Sequence, residues 1–218
     1  MDFYDEENQH KLLIAFEMPD ANAADNFSGK YVQENTYTFD KDLFENCQDN
    51  VSLHGFFQTE KYFKHIENEI RKDFTFKKDW LEPCKECIEG NEYIGLHIRR
   101  TDYVQKQNYH PLCTLEYYEK ALKKLPDTKV IIVSDDPEWC ENQSLFESDR
   151  FLVSGSKNNI IDMCILSLCK YHVIANSSFS WWGAWLAESQ KVIAPKVWFG
   201  SHANLDESDI VPENWERI

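Results

Sequence analysis

Glycine is scarce in this chain, with seven in 218 residues. No Gly-x-Gly-x-x-Gly turn and no Walker loop occur, so any phosphate group must be held by something other than a glycine-rich backbone cradle. Long apolar runs are missing too. Nothing approaches the roughly 20 residues of a membrane-spanning helix. The opening residues 1–10 are acidic and polar, unlike a secretory leader, so the expectation is a cytoplasmic chain without a membrane span. Four Asn-x-Ser sequons, at Asn26, Asn50, Asn142 and Asn176, then read as chance matches. Basic residues are outnumbered, 23 against 38 acids, for a net charge of −15. With no basic stripe, nucleic acid is excluded as a partner. The histidines and cysteines show no zinc spacing. Cys84-x-x-Cys87 has no second pair and reads as linker thiols. An odd number of cysteines, seven, several inside apolar runs, fits reduced thiols.

What is present is a real core: 42% hydrophobic and 14% aromatic residues. The acidity is uneven. Residues 1–50 hold twelve acids against three lysines, so −9 of the −15 lies there. From residue 91 onward, short Val- and Ile-rich runs at 93–98, 129–134, 150–154, 172–176 and 192–194 predict strands covered on both faces. Helical patterns fall between them. Thr114 is placed to cap a helix carrying Leu115, Tyr118, Leu122 and Leu125 on one face. Pro137 suits a first helical turn. Further helices are expected from Ile160 to Tyr171 and from Phe179 to Ser189. Strands alternating with helices predict an α/β fold, a Rossmann-like parallel sheet over residues 91–218. Residues 1–90 are too short and polar for a full second α/β domain. They carry an expected strand near Tyr31 to Phe39 and an expected amphipathic helix from Thr59 to Phe74.

The densest chemistry follows the first of these strands, in His97-x-Arg99-Arg100-x-Asp102-Tyr103. Ligands of α/β sheets sit at the carboxyl ends of the strands. Two adjacent arginines at such an end of an acidic chain point to concentrated negative charge, best a diphosphate, because the guanidinium fork matches phosphate oxygens and stays charged. A plain surface ion pair between Asp102 and an arginine is the competing reading. Asp102 could instead orient an arginine or act as a base, and His97 could reach a base or phosphate. The next strand closes with Ser134-Asp135-Asp136-Pro137. These acids could cap the helix, bind a divalent metal, or meet a ribose or base edge. Asp162, in an otherwise apolar helix, is either a first-turn dipole partner or an acceptor for two hydrogen bonds from guanine. After strand 172–176, Ser177, Ser178 and Phe179 open a helix whose free N–H groups could hold an anion. Trp181, Trp182 and Trp185 follow, at least two of them expected in the core.

In this order and spacing the clusters resemble glycosyltransferase family 11, the α-1,2-fucosyltransferases. The resemblance rests on residues 97–103, 133–136 and 175–186, with 55–63 and 192–215 in support. It implies a GT-B-like arrangement of facing Rossmann-like domains, with a GDP-fucose site in 91–218 and an incomplete acceptor-side region in 1–90. Arg99 and Arg100 would grip the diphosphate, assisted by Ser177 and Ser178. Asp162 would read guanine with help from His97, and one of Asp135 and Asp136 would line the nucleotide pocket, with Phe179 beside it. The resemblance further implies inverting transfer without a metal or other cofactor, from GDP-fucose to a galactose-terminated glycan. One departure is that nothing here matches the family's Gly-Gly-x-Gly-Asn-Gln loop, so a shortened member is expected. Two alternatives stay open: a catalytically impaired GDP-sugar-binding relative or fragment, and a metal-dependent transferase using Asp135 and Asp136.

Overall fold

A computed structural model describes residues 12–18, 29–88 and 92–218. The chain divides into two compact units. One comprises Met1–Lys77 with Leu205–Pro212, the other Lys78–Asn204 with Glu213–Ile218.

The second unit is built on a six-stranded, all-parallel sheet. In chain order the strands are β3 (Ile94–Ile98), β4 (Val130–Ser134), β5 (Phe151–Val153), β6 (Tyr171–Val173), β7 (Lys191–Ala194) and β8 (Glu216–Arg217). Their spatial order is β5-β4-β3-β6-β7-β8. The chain therefore runs outward from β3 to β5, returns to place β6 on the other side of β3, and runs outward again. Strand order reverses between β3 and β6, and that is where a doubly wound sheet opens its ligand crevice. All five residues of β3 are buried, as are the first four of β4. Ile94, Leu96, Ile132, Val173 and Ile193 are fully enclosed. Such continuous apolar strands are what burial on both faces requires.

The helices start where the sequence places start signals. The Thr114 side chain accepts from the Tyr117 N–H and opens the helix Leu115–Leu122, which buries Tyr118, Ala121 and Leu122. Asp136 caps Pro137–Glu141 by accepting from the Trp139 N–H, and Pro137 sits in the first turn. Asn158 caps Asn159–Leu168. The helix Ser178–Leu186 lies against it so closely that a Cβ on Gly183 would fall 2.8 Å from the Leu166 Cβ. Trp181 and Trp185 are buried and Trp182 is half-buried.

Two expectations are corrected here. Lys78–Cys87 is a helix despite Pro83, and not a linker. It packs on Asn159–Leu168, with the Cys84 thiol on the Ile161 carbonyl (3.9 Å) and the Cys164 thiol on the Trp80 carbonyl (3.8 Å). The unit boundary consequently lies at Lys77/Lys78 instead of 90/91, and Leu205–Pro212 returns to the first unit. All seven cysteines are free thiols.

The first unit holds two short parallel strands, β1 (Lys30–Gln33) and β2 (Val51–His54), and the helices Lys41–Asn46 and Glu67–Asp73. The single helix expected over 59–74 is broken. Two 3-10 turns, Glu60–Tyr62 and Lys64–Ile66, precede the α-helix, and the chain leaves helical geometry at Phe63 (φ −132°). Tyr62, directly before that residue, is anchored through its hydroxyl to Glu34 (3.1 Å) and to the Asp40 N–H (2.8 Å). Among the described residues no helix is long and apolar enough to cross a membrane.

Candidate active site

The β3–β4 register pairs Ile98 with Ser134, so the residues that follow each strand are neighbours. Asp135 thereby becomes the organiser of the arginine turn. Its carboxylate accepts from the Arg100 backbone N–H (2.8 Å) and the Thr101 hydroxyl (2.5 Å), and it pairs with the Arg99 guanidinium (3.2 Å). Arg100 takes the N-cap position of the short helix Thr101–Gln105, with no side-chain cap bond to that helix. Arg99 also donates to Asp102 at 2.7 Å. Arg100 is held differently. Its Nε donates to Asp136 at 3.0 Å, and its Cζ lies 3.8 Å from the Trp139 ring centroid, a close cation–π stack. The predicted helix-capping role of Asp136 and the predicted ion pair of Asp102 are thus both present. Neither carboxylate of the Asp135–Asp136 pair is idle, since each meets an arginine. Among the described residues no group of three or more His, Cys, Asp or Glu side chains is arranged to hold a metal ion.

The side chain of His97 is enclosed at the end of β3. Burial pushes its pKa down to about 4; Asp135 opposes that and Arg99 adds to it, so the ring is neutral at pH 7. Its Nδ1 is buried with no hydrogen-bond partner among the described residues. An unsatisfied buried ring nitrogen is uncommon and marks a position that a ligand can complete. The ring lies 5.3 Å from Phe179.

Phe179 belongs to the opposite lip, at the exit of β6. Asn176 is buried and donates its side-chain amide to the Trp198 carbonyl (2.9 Å), while its own carbonyl accepts from the Tyr103 hydroxyl (3.0 Å). Tyr103 therefore ties the β3 exit to the β6 exit, and burial raises its hydroxyl to about 12. Ser177 takes the N-cap position of Ser178–Leu186 but makes no side-chain cap bond. The first N–H groups of that helix remain available to an anion. Ser178 is exposed at its start. The structure thus brings His97, Arg99, Asp102, Ser177, Ser178 and Phe179 to the two lips of the switch point, with Arg100, Asp135 and Asp136 behind them.

Asp162 stands apart. It lies in the first turn of Asn159–Leu168, 9% exposed, and accepts from the Ser154 hydroxyl at 2.7 Å. Burial raises its carboxyl to about 6, with the Ser154 hydrogen bond pulling the other way. Among the described residues it bonds no member of the arginine cluster. Ser154, Thr101 and Trp139 are parts of the site to which the sequence motifs assign no role, and Tyr103 stands in its motif without one. Ser154 is the first polar residue after β5, and Tyr103 is the last of its motif, so both carried a signal.

The glycosyl transferase family 11 model matches residues 10–218. An α-1,2-colitosyltransferase from Escherichia coli is 35% identical over 83% of this chain and 67% of its own. The rat galactoside α-(1,2)-fucosyltransferase 1 is 22% identical over 76% of this chain and 55% of its own. The chain thus spans about two thirds of the length of the first and about half of the second. Among solved structures, the fucosyltransferase NodZ from Bradyrhizobium superposes with a TM-score of 0.50, 16% identity, and coverage of 74% of this chain and 60% of that one. That likeness concerns the fold, a GT-B-like α/β arrangement with a parallel sheet.

Proposed function

The chain belongs to glycosyl transferase family 11, and from that premise we propose that it transfers fucose from GDP-β-L-fucose to the 2-hydroxyl of a terminal galactose in a glycan, with inversion. The observation that carries this reading is the arginine turn at the sheet's switch point, facing a helix start whose cap serine makes no side-chain cap bond. Arg99, the more exposed arginine at 30% against 20%, gives up its longer pairing with Asp135 for the diphosphate and keeps the shorter one with Asp102. Arg100, fixed by Asp136 and Trp139, adds positive potential and holds the turn. As GDP departs, charge grows on its outer phosphate, and stabilising that charge is the main electrostatic task. His97 with its free Nδ1, Ser177 and Ser178 complete the phosphate side. Asp162 accepts from the guanine edge, with Ser154 fixing its second oxygen. The first unit serves the acceptor.

The reaction is proposed to need no metal. What supports this is that Asp135 and Asp136 already face guanidinium groups. Unchanged turnover in EDTA tests it. Activity lost in EDTA and restored by Mg²⁺ or Mn²⁺ would favour a metal-dependent transferase built on Asp135 and Asp136.

A second reading concerns the sugar. The 35% identity to the colitosyltransferase favours colitose as an alternative donor sugar. Incubating the protein with a β-galactoside and either GDP-fucose or GDP-colitose, with mass analysis of the product, separates the two. GDP binding without transfer from either donor would leave a GDP-sugar-binding protein.

A further inference from the structure

Glycosyl transfer, the function proposed for this chain, needs a group to take the proton of the acceptor hydroxyl, and naming that group rests on the transferase reading. Two titratable groups near the arginine turn are poor candidates. His97 is enclosed, and the Asp102 carboxylate is held by Arg99 at 2.7 Å. His110 is a third, and it belongs to none of the sequence motifs. It ends the turn after Thr101–Gln105, where its N–H bonds the Lys106 carbonyl (2.8 Å). A second loop braces this turn, through Gly200 N–H to the Tyr109 carbonyl (2.8 Å) and His202 N–H to the Asn108 carbonyl (3.1 Å). The packing is so close that a Cβ on Gly200 would fall 2.2 Å from the Asn108 carbonyl oxygen.

The brace sets the imidazole flat on Tyr103, centroids 4.7 Å apart and planes 16° from parallel, with Phe199 6.3 Å away. Tyr103 is itself pinned by its hydroxyl to Asn176, and the Arg99 Cζ lies 5.4 Å from its ring centroid. These contacts hold the His110 ring within about 10 Å of the Arg99 guanidinium. An in-line displacement spans a similar distance, from a phosphate-gripping donor through the anomeric carbon and acceptor oxygen to the base, at about 2–3 Å per step. The ring is half-exposed, so an acceptor hydroxyl can approach it.

We propose that His110 is the general base of the transfer. The acceptor O–H bond breaks toward an imidazole nitrogen, and the oxygen's electron pair forms the bond to the anomeric carbon. The bond from that carbon to the phosphate oxygen breaks, and its electrons leave on GDP. The imidazolium then returns its proton to water. Burial lowers the pKa of His110 from the ordinary histidine value; Asp102 opposes that, and Lys106 and Arg99 reinforce it, which favours the neutral, proton-accepting ring. Among the described residues the charged groups acting on it are Asp102 and Arg99 from the β3 exit and Lys106 from its own turn. Tyr103 is the other titratable neighbour.

The test compares the 218-residue wild type with His110→Gln and His110→Phe, the second keeping a ring on Tyr103. Both variants should lose kcat by about 100-fold or more, with GDP affinity by calorimetry within twofold of wild type. Wild-type kcat should fall as acid protonates the imidazole, and the residual rate of the variants should lack that limb. Small-molecule imidazole should partly restore His110→Ala. Activity of His110→Phe within threefold of wild type would reduce His110 to a packing residue and overturn the assignment. Equal losses of kcat and GDP affinity would overturn it too. A wild type that transfers neither fucose nor colitose would instead bring down the proposed function, and this assignment with it.

Discussion

In the second unit the enclosed side chains are Ile, Leu and Val, repeated from strand to strand. In the first, the residue at the centre is a carboxylate. Glu34 is 7% exposed and accepts from the N–H groups of Phe56 and Phe57, both at 2.9 Å, and from the Tyr62 hydroxyl. It holds Phe57 at a positive φ of 47°, and Gly55 is required beside it because a Cβ there would meet the Glu34 Cβ at 2.4 Å. Rings of Phe39, Phe44, Phe57 and Tyr62 pack around this hub. The contrast teaches that apolar periodicity builds the platform for the arginine turn, while the smaller unit depends on one satisfied buried carboxyl group, costly to leave unpaired.

The sharpest break of this contrast comes from the arginine turn. Arg99→Lys keeps the charge but loses the fork, and should lower transfer by about 100-fold, near 3 kcal/mol of transition-state stabilisation, with an unchanged melting temperature. Wild-type rates for this variant would rule out the clamp.

Next in size is Glu34→Gln. The amide cannot accept all three bonds, so stability should fall by about 2 kcal/mol, read by denaturant unfolding, with GDP affinity within twofold of wild type. A parallel loss of GDP binding would mean that the two units do not divide their work in this way.

The smallest effect is on Asp162 and depends on pH. Its carboxyl titrates at about 6 when folded, against an ordinary 3.8. Between those values the folded chain keeps a proton that the unfolded chain releases, so stability drops as pH rises from about 4 to 6 and stays lower above. Asp162→Asn removes that cost. It should melt higher than wild type at pH 7.5, with the gap closing by pH 4. It should also bind GDP less tightly, since the proposed acceptor for guanine is gone. A variant less stable at pH 7.5 would contradict the buried-charge argument.

Much of the second unit was legible in the sequence. Strands β3 to β7 were, because a short apolar run lies on or beside each; in β3 and β4 that run is buried on both faces, while Leu152 of β5 is exposed. The helix starts at Thr114 and Pro137 were too, because caps have their own chemistry. Strand β8 was missed because Glu216 and Arg217 carry no apolar pattern. The helix Lys78–Cys87 was missed because Pro83 and its polar residues argue against one, and only packing on Asn159–Leu168 overrides them. Of the site, the arginines and the β6-exit serines were legible from position alone. The grip of Asp135 on Arg99, Arg100 and Thr101 was not, since it arises from the β3–β4 register. The Glu34 hub was invisible for a related reason: one carboxylate among twelve acids in the first fifty residues looks like any other until its partners arrive from residues 56, 57 and 62.

The central claim is that the β3 exit and the β6-exit helix together hold the diphosphate of a GDP-sugar. Calorimetric titration of the wild-type chain with GDP and with GMP tests it most directly, because the two ligands differ by the outer phosphate alone. GDP should bind at least about tenfold more tightly than GMP, the value of one well-made charge-assisted contact. Equal affinities, or no binding of GDP at all, would contradict the claim.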